Sequence, residues 1–565
     1  MLPYISGSTM KREMQREFRG LNRRAGAAEN EFTAMTNMTG SQYPLLAPRE
    51  PRGRVRTLTK LNGMLGGAAL CFVDGEDFYY DGACYGQVED SEKVLVRMGT
   101  RILIFPDKLA FDTQSRSFTP LENRVTAADV TLIPCLADGS ELGEVTESAA
   151  APDSPTNAML WLDTLSGTLK QYSAAQEQWV DVSGTLVCLR GTGIGKGFAD
   201  GDGVRISGTG QEALTGTLLL TDVQDDQVTV TAFLSKGGKA AGAVTLAREV
   251  PDLVLAAELN NRIWGVEAGT QEIRACKLGD PTNWNVYEGV ATDSYAVSVG
   301  SDGEFTGVCS FLGYALFFKE GWIHKLYGTK PADFQLTATL TRGVEQGAWR
   351  TLCPVGDTLY YKGIDGVYAY DGSLPVRVSW DWDEGKRKGL SAAEDRGRYV
   401  LGLQTPTGEG EVLVYDPARS LWHREDALIV THMATACGDV WMGDTAAQVL
   451  WSRNGSLLAG QPGGMAMESA VSWRAETADW NQRSPDKQTC VRLLIRAYLE
   501  EGTELTAAMQ YDSDGVWHNT AQVTGHGKGT IEIPLRPRRC DHLRLALSGV
   551  GGAVIYSIAR EYRTK

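Results

Sequence analysis

Short bursts of alternating apolar and polar residues, separated by turn residues, run along most of the chain. The segments GYALFFKEGWIHKLYG from Gly313 and GDTLYYKGIDGVYAYDG from Gly356 are typical. Alternation with a period of two indicates strands with one buried face. The pattern therefore predicts an all-β protein. The best candidate helix is Thr9–Arg19, which Gly20 would end.

A weak internal repeat organises these bursts, with a turn glycine or asparagine followed by two apolar strands. The last four copies are separated by 43, 41 and 41 residues. A period of about 40–45 residues with four strands per unit is the blade period of a β-propeller. The repeat predicts a propeller of roughly six or seven blades, with a β-sandwich of ordinary hairpins as the alternative. The copies open at Gly99, Asn261, Gly313, Gly356, Gly397 and Gly438.

The repeat is interrupted once and then stops, which divides the chain. Between Gly99 and Asn261 lie strand-like bursts typical of a small β-barrel, and after residue 465 longer strands predict a β-sandwich. The Gly/Pro-rich segment Gly455–Gly464 is the predicted linker before the sandwich. The predicted domains are an extended basic N-terminal arm (1–60), a first part of the propeller (61–119), an inserted small β-barrel domain (120–250), a second part of the propeller (251–462) and a C-terminal β-sandwich (465–565).

Charge is distributed unevenly along the 565 residues. The whole chain has a net charge of −15, yet residues 1–60 carry eleven Lys/Arg and five Asp/Glu, a net of +6. The remaining residues therefore carry −21. Such an acidic body argues against a main surface that grips a phosphate backbone.

The ten cysteines are scattered without a C-x-x-C pair, which predicts small buried hydrophobic residues of a reducing compartment. No apolar run reaches the length of a membrane helix and the N-terminus does not read as a signal peptide, so we expect synthesis in the cytoplasm and no membrane span. Zinc-protease and G-x-S-x-G motifs are absent. The sequence thus predicts no catalytic site, no metal and no cofactor.

The arm is the most informative segment for function. It combines clustered arginines with apolar residues that are spaced too openly for a core of their own but suit an extended segment in a partner's groove. A mobile, solvated tail is the alternative. The candidate partner-binding residues are Arg16, Phe18, Arg19, Leu21, Arg23, Arg24, Tyr43, Pro44, Arg49 and Arg52.

Four motifs carry a resemblance to a known family. The arm reads F-x-G-L-N-x-R over Phe18–Arg24 and N-x-x-x-x-x-Y-P-x-L-x-x-R over Asn37–Arg49, and the blades contain N-N-R-I-W (Asn260–Trp264) and L-G-D-P-x-x-W (Leu278–Trp284). With these motifs the chain resembles tail proteins of tailed bacteriophages, in particular the nozzle, or packaged-DNA-stabilising hub, below the portal of short-tailed phages. The resemblance covers the arm and the propeller.

This resemblance implies a non-enzymatic virion protein that forms a ring, expected to be a hexamer, and closes or guides the DNA exit channel. Its implied partners are its own copies, the portal or adaptor, other tail proteins, and viral DNA that passes without sequence-specific binding. The implied location is the virion tail, after assembly in the host bacterial cytoplasm. Two alternatives stay open: another virion part such as a collar, baseplate or receptor-binding component, and a propeller enzyme or cellular scaffold.

Overall fold

The computed structural model describes residues 9–382, 386–456, 466–481 and 486–564, and it is built almost entirely of β-strands. The predicted all-β fold is confirmed. Most of the predicted linker Gly455–Gly464 lies outside the described residues. No helix in the described ranges is long and apolar enough to cross a membrane. The helices found there are the 3-10 turns Glu212–Leu214, Pro331–Asp333 and Trp349–Thr351.

The arm contributes five short strands, and its first strand overturns the predicted helix Thr9–Arg19. Residues 9–15 pair antiparallel with residues 558–564 near the C-terminus. Hydrogen bonds from a distant strand here outweigh the helix propensity of Lys, Arg, Glu and Met, because propensity amounts to only tenths of a kcal/mol per residue. The arm strands are β1 (Thr9–Gln15), β2 (Phe32–Thr36), β3 (Met38–Thr39), β4 (Ala47–Pro48) and β5 (Gly53–Thr57).

Two four-stranded sheets with strands in chain order follow the arm, and we call them blades 1 and 2. Blade 1 is β6 (Leu61–Leu65), β7 (Cys71–Asp74), β8 (Asp77–Tyr80) and β9 (Ala83–Gln87). Blade 2 is β10 (Val94–Met98), β11 (Arg101–Phe105), β12 (Leu109–Asp112) and β13 (Ser117–Pro120).

Between blade 2 and the next blade, twelve strands form an eight-stranded and a four-stranded sheet. The larger sheet has the order β14-β25-β21-β22-β23-β20-β15-β24 and encloses its own apolar core, which includes Val187, Leu220 and Leu246. The strands are β14 (Asn123–Ala127), β15 (Thr131–Leu136), β16 (Val145–Ser148), β17 (Leu160–Asp163), β18 (Thr168–Ser173), β19 (Gln178–Asp181), β20 (Thr185–Arg190), β21 (Gly203–Ser207), β22 (Gly216–Gln224), β23 (Gln227–Thr231), β24 (Gly238–Lys239) and β25 (Val244–Arg248).

Five further blades complete a set of seven in the described residues. Blade 3 is β26 (Leu253–Leu259), β27 (Arg262–Glu267), β28 (Glu272–Ala275) and β29 (Tyr295–Ser298). Blade 4 is β30 (Gly307–Phe311), β31 (Tyr314–Lys319), β32 (Trp322–Tyr327) and β33 (Gln335–Leu340). Blade 5 is β34 (Cys353–Val355), β35 (Thr358–Gly363), β36 (Gly366–Tyr370) and β37 (Val376–Arg377). Blade 6 is β38 (Lys388–Asp395), β39 (Arg398–Gln404), β40 (Gly410–Asp416) and β41 (Leu421–Arg424), and blade 7 begins with β42 (Val430–Ala436), β43 (Asp439–Asp444) and β44 (Val449–Ser452).

The repeat seen in the sequence corresponds to one structural position. Gly313, Gly356, Gly397 and Gly438 each lie in the turn between the first and second strands of their blade. Their φ angles are 76°, 58°, 80° and 74°, the left-handed region that glycine adopts without steric cost. The predicted propeller-type repeat is thereby confirmed.

Blade 7 is completed by the arm. Strand β5 pairs with β44, with Val449 opposite Thr57 and Ser452 opposite Gly53. The predicted boundary of the arm at residue 60 is therefore wrong for β5, which is an integral blade strand. Local patterning does not reveal this pairing, because the two strands lie nearly the whole propeller apart in sequence.

The C-terminal region forms a seven-stranded sheet together with two arm strands. The sheet has the order β1-β50-β47-β49-β46-β2, and β48 also pairs with β47. The predicted C-terminal domain is therefore not separate from the arm, because the arm's β1 and β2 are strands of its sheet. Its strands are β46 (Ser472–Thr477), β47 (Gln488–Tyr511), β48 (His518–Cys540), β49 (Leu543–Val550) and β50 (Ala553–Thr564), and the short β45 (Ala466–Met467) pairs with β5.

The described residues group into two compact units. The first comprises the chain up to Leu95, Ser301–Lys325 and the residues from Thr337 onward, and the second comprises Val96–Gly300 and Leu326–Leu336. The largest apolar core of the first unit joins the arm, blades 5 and 6 and the C-terminal sheet. Of the ten cysteines, seven are buried, whereas Cys84 and Cys437 are exposed.

Candidate assembly interface at the N-terminal arm

The first arm motif, Phe18–Arg24, lies against the outer strand of blade 6. The N–H of Leu21 donates to the carbonyl oxygen of Trp422 at 2.6 Å, and Phe18 and Leu21 are each 2 % exposed. A Cβ on Gly20 would lie 2.2 Å from the same carbonyl oxygen. Only glycine permits so close a backbone approach, so the glycine of the motif is explained by docking onto the chain's own β41.

The polar residues of this motif have partners in the same chain. Asn22 donates from its amide nitrogen to Glu31 at 2.7 Å, and Arg23 donates to Glu411 at 2.6 Å. Burial by itself would raise the pKa of Glu411, but Arg23 and Arg387 outweigh that cost and hold its pKa below its ordinary value. Arg23 therefore already has a buried acidic partner on blade 6.

The second motif closes a loop over the same blade. Arg49 donates to the side-chain oxygen of Asn37 at 2.9 Å, and its backbone N–H donates to the Asn37 carbonyl at 2.9 Å. Within the loop Gly40 packs on the buried ring of His423, where a Cβ would lie 2.7 Å from Cε1. The carbonyl of Pro44 accepts a 2.9 Å hydrogen bond from the N–H of Phe18, which links the two motifs.

A largely buried group of three guanidiniums and four carboxylates, the arm ion cluster, joins the end of the arm to blades 6 and 7. Arg52, 1 % exposed, reaches Glu425 at 2.6 Å and also bonds Asp426. Burial alone would raise the pKa of Glu425, but Arg453, Arg52 and Arg49 lower it below its ordinary value. The cluster consists of Arg49, Arg52, Asp395, Glu425, Asp426, Arg453 and Glu468.

These contacts correct the expectation that the arm needs a partner's groove. Phe18, Leu21, Arg49 and Arg52 are covered by the chain itself, with at most 8 % exposure, and are therefore removed from the candidate partner-binding set. The groove that their open spacing requires is supplied by blade 6 and the C-terminal sheet. Sequence reasoning missed the other half of this interface, for which the only signal was the pair of adjacent acids Glu425 and Asp426 just after a blade strand.

Arg23 is held by Glu411 of the same chain, and the other remaining candidates make up a surface that we call the arm surface. Arg16, Arg24 and Pro44 are exposed, and Arg19 and Tyr43 are half-buried. The hydroxyl of Tyr43 donates to Glu17 at 2.6 Å, and the guanidinium of Arg419 lies 5.1 Å from the Tyr43 ring centroid. Arg24 donates to the carbonyl of Trp380 at 2.7 Å, and the Trp380 side chain is 56 % exposed. The arm surface thus combines basic groups with accessible aromatic area.

Acid should weaken the docked arm through His423. Burial, with Arg398 nearby, lowers the pKa of His423 from 6.5 to about 4. The unfolded chain therefore binds the extra proton first, and stability that is complete above pH 6.5 is lost as the pH falls toward 4. We expect His423→Gln to reduce the pH slope of the unfolding free energy in this window by about 1.4 kcal/mol per pH unit.

The measurement is urea unfolding at several pH values between 7 and 4.5. The control His526→Gln changes an exposed histidine and should leave the slope unchanged. An equal slope in His423→Gln and the original protein would contradict the assignment.

Other candidate chemistry is limited in the described residues. No group of three or more His, Cys, Asp or Glu side chains there is placed to hold a metal ion. A cleft of about 720 Å³ in the second unit is lined by five cations and four carboxylates, and all four carboxylates pair with cations of the lining. Its Lys108, for example, lies 2.7 Å from Glu122 and 2.8 Å from Asp252. Such near balance leaves little net charge to attract an ion.

Comparison with known proteins yields no family. No protein-family model matches the chain, and no curated protein matches it either. Among solved structures, a chain of the mitotic checkpoint complex is similar at 10 % identity over 71 % of this chain and 93 % of its own length, with a TM-score of 0.28. The exo-β-1,3-galactanase of Phanerochaete chrysosporium is similar at 8 % identity over 54 % and 95 %, with a TM-score of 0.24. The glutaminyl cyclase of Myxococcus xanthus is similar at 14 % identity over 35 % and 88 %, with a TM-score of 0.20. Likenesses this weak assign neither an activity nor a partner.

Proposed function

We propose that this chain is a structural protein of a tailed-bacteriophage virion, a ring-forming nozzle or hub of the tail that closes or guides the DNA exit channel. The proposal includes the absence of enzymatic activity. The observation that supports it most is the arm. Its motif residues are fixed by contacts with blade 6, and this docking leaves a basic, partly aromatic surface free for another protein.

The charge distribution supports the same role. Residues 61–565 carry a net charge of −21, and an acidic wall repels phosphate, so DNA can slide past it. A basic wall would grip DNA more tightly with each phosphate contact. Part of the arm's net charge of +6 is neutralised within the chain by ion pairs with Glu411, Glu425 and Asp426. The remaining positive charge of the arm suits an acidic partner surface.

Electron microscopy of the particles tests this proposal directly. Gold-labelled antibody against the chain should bind on the tail axis next to the portal, and particles made without the protein should lose their DNA. Particles made without this chain are the control for the specificity of the antibody. Absence of the chain from purified particles would overturn the proposal and favour the cellular scaffold or enzyme.

The arm surface should bind its partner electrostatically. We expect the triple variant Arg16→Glu, Arg19→Glu and Arg24→Glu to remain folded but to join particles poorly, because Arg16 and Arg24 are exposed and Arg19 is half-buried, so that the main change is the reversed docking charge. The control triple variant Arg54→Glu, Lys60→Glu and Arg101→Glu reverses three exposed cations outside the arm surface. The measurement is complementation of defective particles at increasing salt, and equal complementation by both variants would exclude this role of the arm surface.

A further inference from the structure

Part of the C-terminal sheet is a four-stranded section with two open edges. Its strands are neighbours in the order β1, β50, β47, β48. Among the described strands, β1 pairs only with β50 and β48 pairs only with β47. Edges of this kind expose unpaired backbone donors and acceptors that can add a strand from another chain.

A charge ladder crosses this section from edge to edge. The guanidinium of Arg12 on β1 bonds Glu561 on β50, whose other oxygen lies 2.6 Å from Arg492 on β47. Arg492 in turn lies 2.6 Å from Glu532 on β48. The side-chain charges alternate in sign along the four strands. The ladder therefore ends in the cation Arg12 at the β1 edge and in the carboxylate Glu532 at the β48 edge.

Both ends of the ladder face solvent. The Arg12 side chain is 53 % exposed and the Glu532 side chain is 56 % exposed. Met10 and Met14, on the same face as Arg12, are 50 % and 49 % exposed. The β1 edge therefore presents two half-exposed methionines and a cation that a strand of another chain could cover.

Strand direction permits the ladder to continue into a second copy. The pairs β1–β50, β50–β47 and β47–β48 are all antiparallel. Strands β1 and β48 of one chain therefore run in opposite directions. A second copy's β1 that pairs antiparallel with β48 has the same orientation as the first copy's β1, which a head-to-tail repeat requires.

The lengths of the two edges also match. Strand β1 has seven residues. On β48, a register shift next to Gly527 and Pro534, which lacks an N–H, bound the stretch from Gly527 to Ile533, which is likewise seven residues long. When the two stretches align end to end and antiparallel, Arg12 of another copy lies opposite Thr530 and diagonal to Glu532, the same offset that Arg492 and Glu532 have within one chain.

We propose that β1 of one copy adds to β48 of the next, so that Arg12 of the first copy pairs with Glu532 of the second and the sheet continues from subunit to subunit. This contact specifies how subunits of the proposed ring would be joined and therefore rests on that function. A head-to-tail contact closes into a ring when its rotation permits. Symmetric antiparallel pairing of β1 with β1 would instead place Arg12 opposite Arg12 of the other copy.

Two edge variants test the proposal in solution. The first variant carries Arg12→Glu, which reverses the charge of the β1 edge and leaves the β48 edge unchanged. The second carries Glu532→Arg and Thr530→Pro, where residue 530 has the same strand parity as the native Pro534, and keeps only the β1 edge. Each should be monomeric alone by analytical ultracentrifugation, and the mixture should form a 1:1 complex, whereas the original protein assembles further.

Single substitutions guard against misfolding of the edge variants. Glu532→Arg alone should weaken self-association at least about tenfold through loss of the charge pair and added repulsion. The matched control Glu501→Arg makes the same change at an exposed carboxylate outside the ladder and should leave association unchanged. Thermal unfolding of every variant verifies its fold.

Several results would overturn the inference: a monomeric original protein at the highest soluble concentration, self-association of either edge variant alone, no complex in the mixture, or equal effects of Glu532→Arg and Glu501→Arg. The assay needs no phage particle. Edge-dependent assembly of a chain that is absent from virions would keep this inference and remove only the proposed function.

Discussion

Replacement of Arg52 by alanine is expected to lower the stability of the first unit by about 3–5 kcal/mol, the usual cost of removing one partner of a buried ion pair. Arg52 is 1 % exposed and holds Glu425, which is fully buried, and Asp426. Its loss leaves the fully buried Glu425 and the largely buried Asp426 with less positive charge and fewer hydrogen-bond donors. Differential scanning calorimetry and denaturant unfolding measure the effect.

Arg54 provides the matched control on the same strand. Its side chain is exposed and makes one long hydrogen bond, to Thr57 at 3.4 Å. Arg54→Ala should therefore stay within about 0.5 kcal/mol of the original protein. Equal stability of the Arg52 and Arg54 variants would mean that the arm ion cluster does not hold the arm.

Gly20→Ala is the second large effect, because the added methyl group collides with backbone rather than with a movable side chain. Its Cβ would lie 2.2 Å from the Trp422 carbonyl oxygen and 3.0 Å from the Trp422 nitrogen. We expect a loss of about 1–3 kcal/mol, typical of overpacking. Hydrogen exchange should rise around Leu21, whose N–H donates to that carbonyl oxygen.

Gly26→Ala is the control for this change. It lies in the same arm, and a Cβ there meets no atom within 4 Å. The variant should match the original protein in stability and in the hydrogen exchange of residues 18–24. Increased exchange in both variants would attribute the effect to glycine loss in general and contradict the close approach at Trp422.

The two predictions concern the residues on which the sequence-based interpretation was least accurate. The motif F-x-G-L-N-x-R indicated a segment that needs a groove, and the structure agrees with this requirement. The structure differs from the prediction in which chain provides the groove, because Phe18 and Leu21 pack in one core with Trp422 and Tyr399 of the same chain. The spacing of apolar residues along an extended segment is identical whether the groove belongs to that chain or to another.

What the sequence alone determined is the local part of this protein. Alternation at a period of two sets the strands, and glycines such as Gly356 and Gly438 mark the turn of each repeat, because backbone geometry over a few residues decides both. The tertiary structure alone decided which distant segments meet. Residues 9–15 form strand β1 because they pair with β50 by backbone hydrogen bonds. Arg52 can be buried because Glu425, 373 residues further along the chain, neutralises its charge. Pairings over such separations leave no periodic trace in the sequence, since each partner satisfies its local rules equally well without the other.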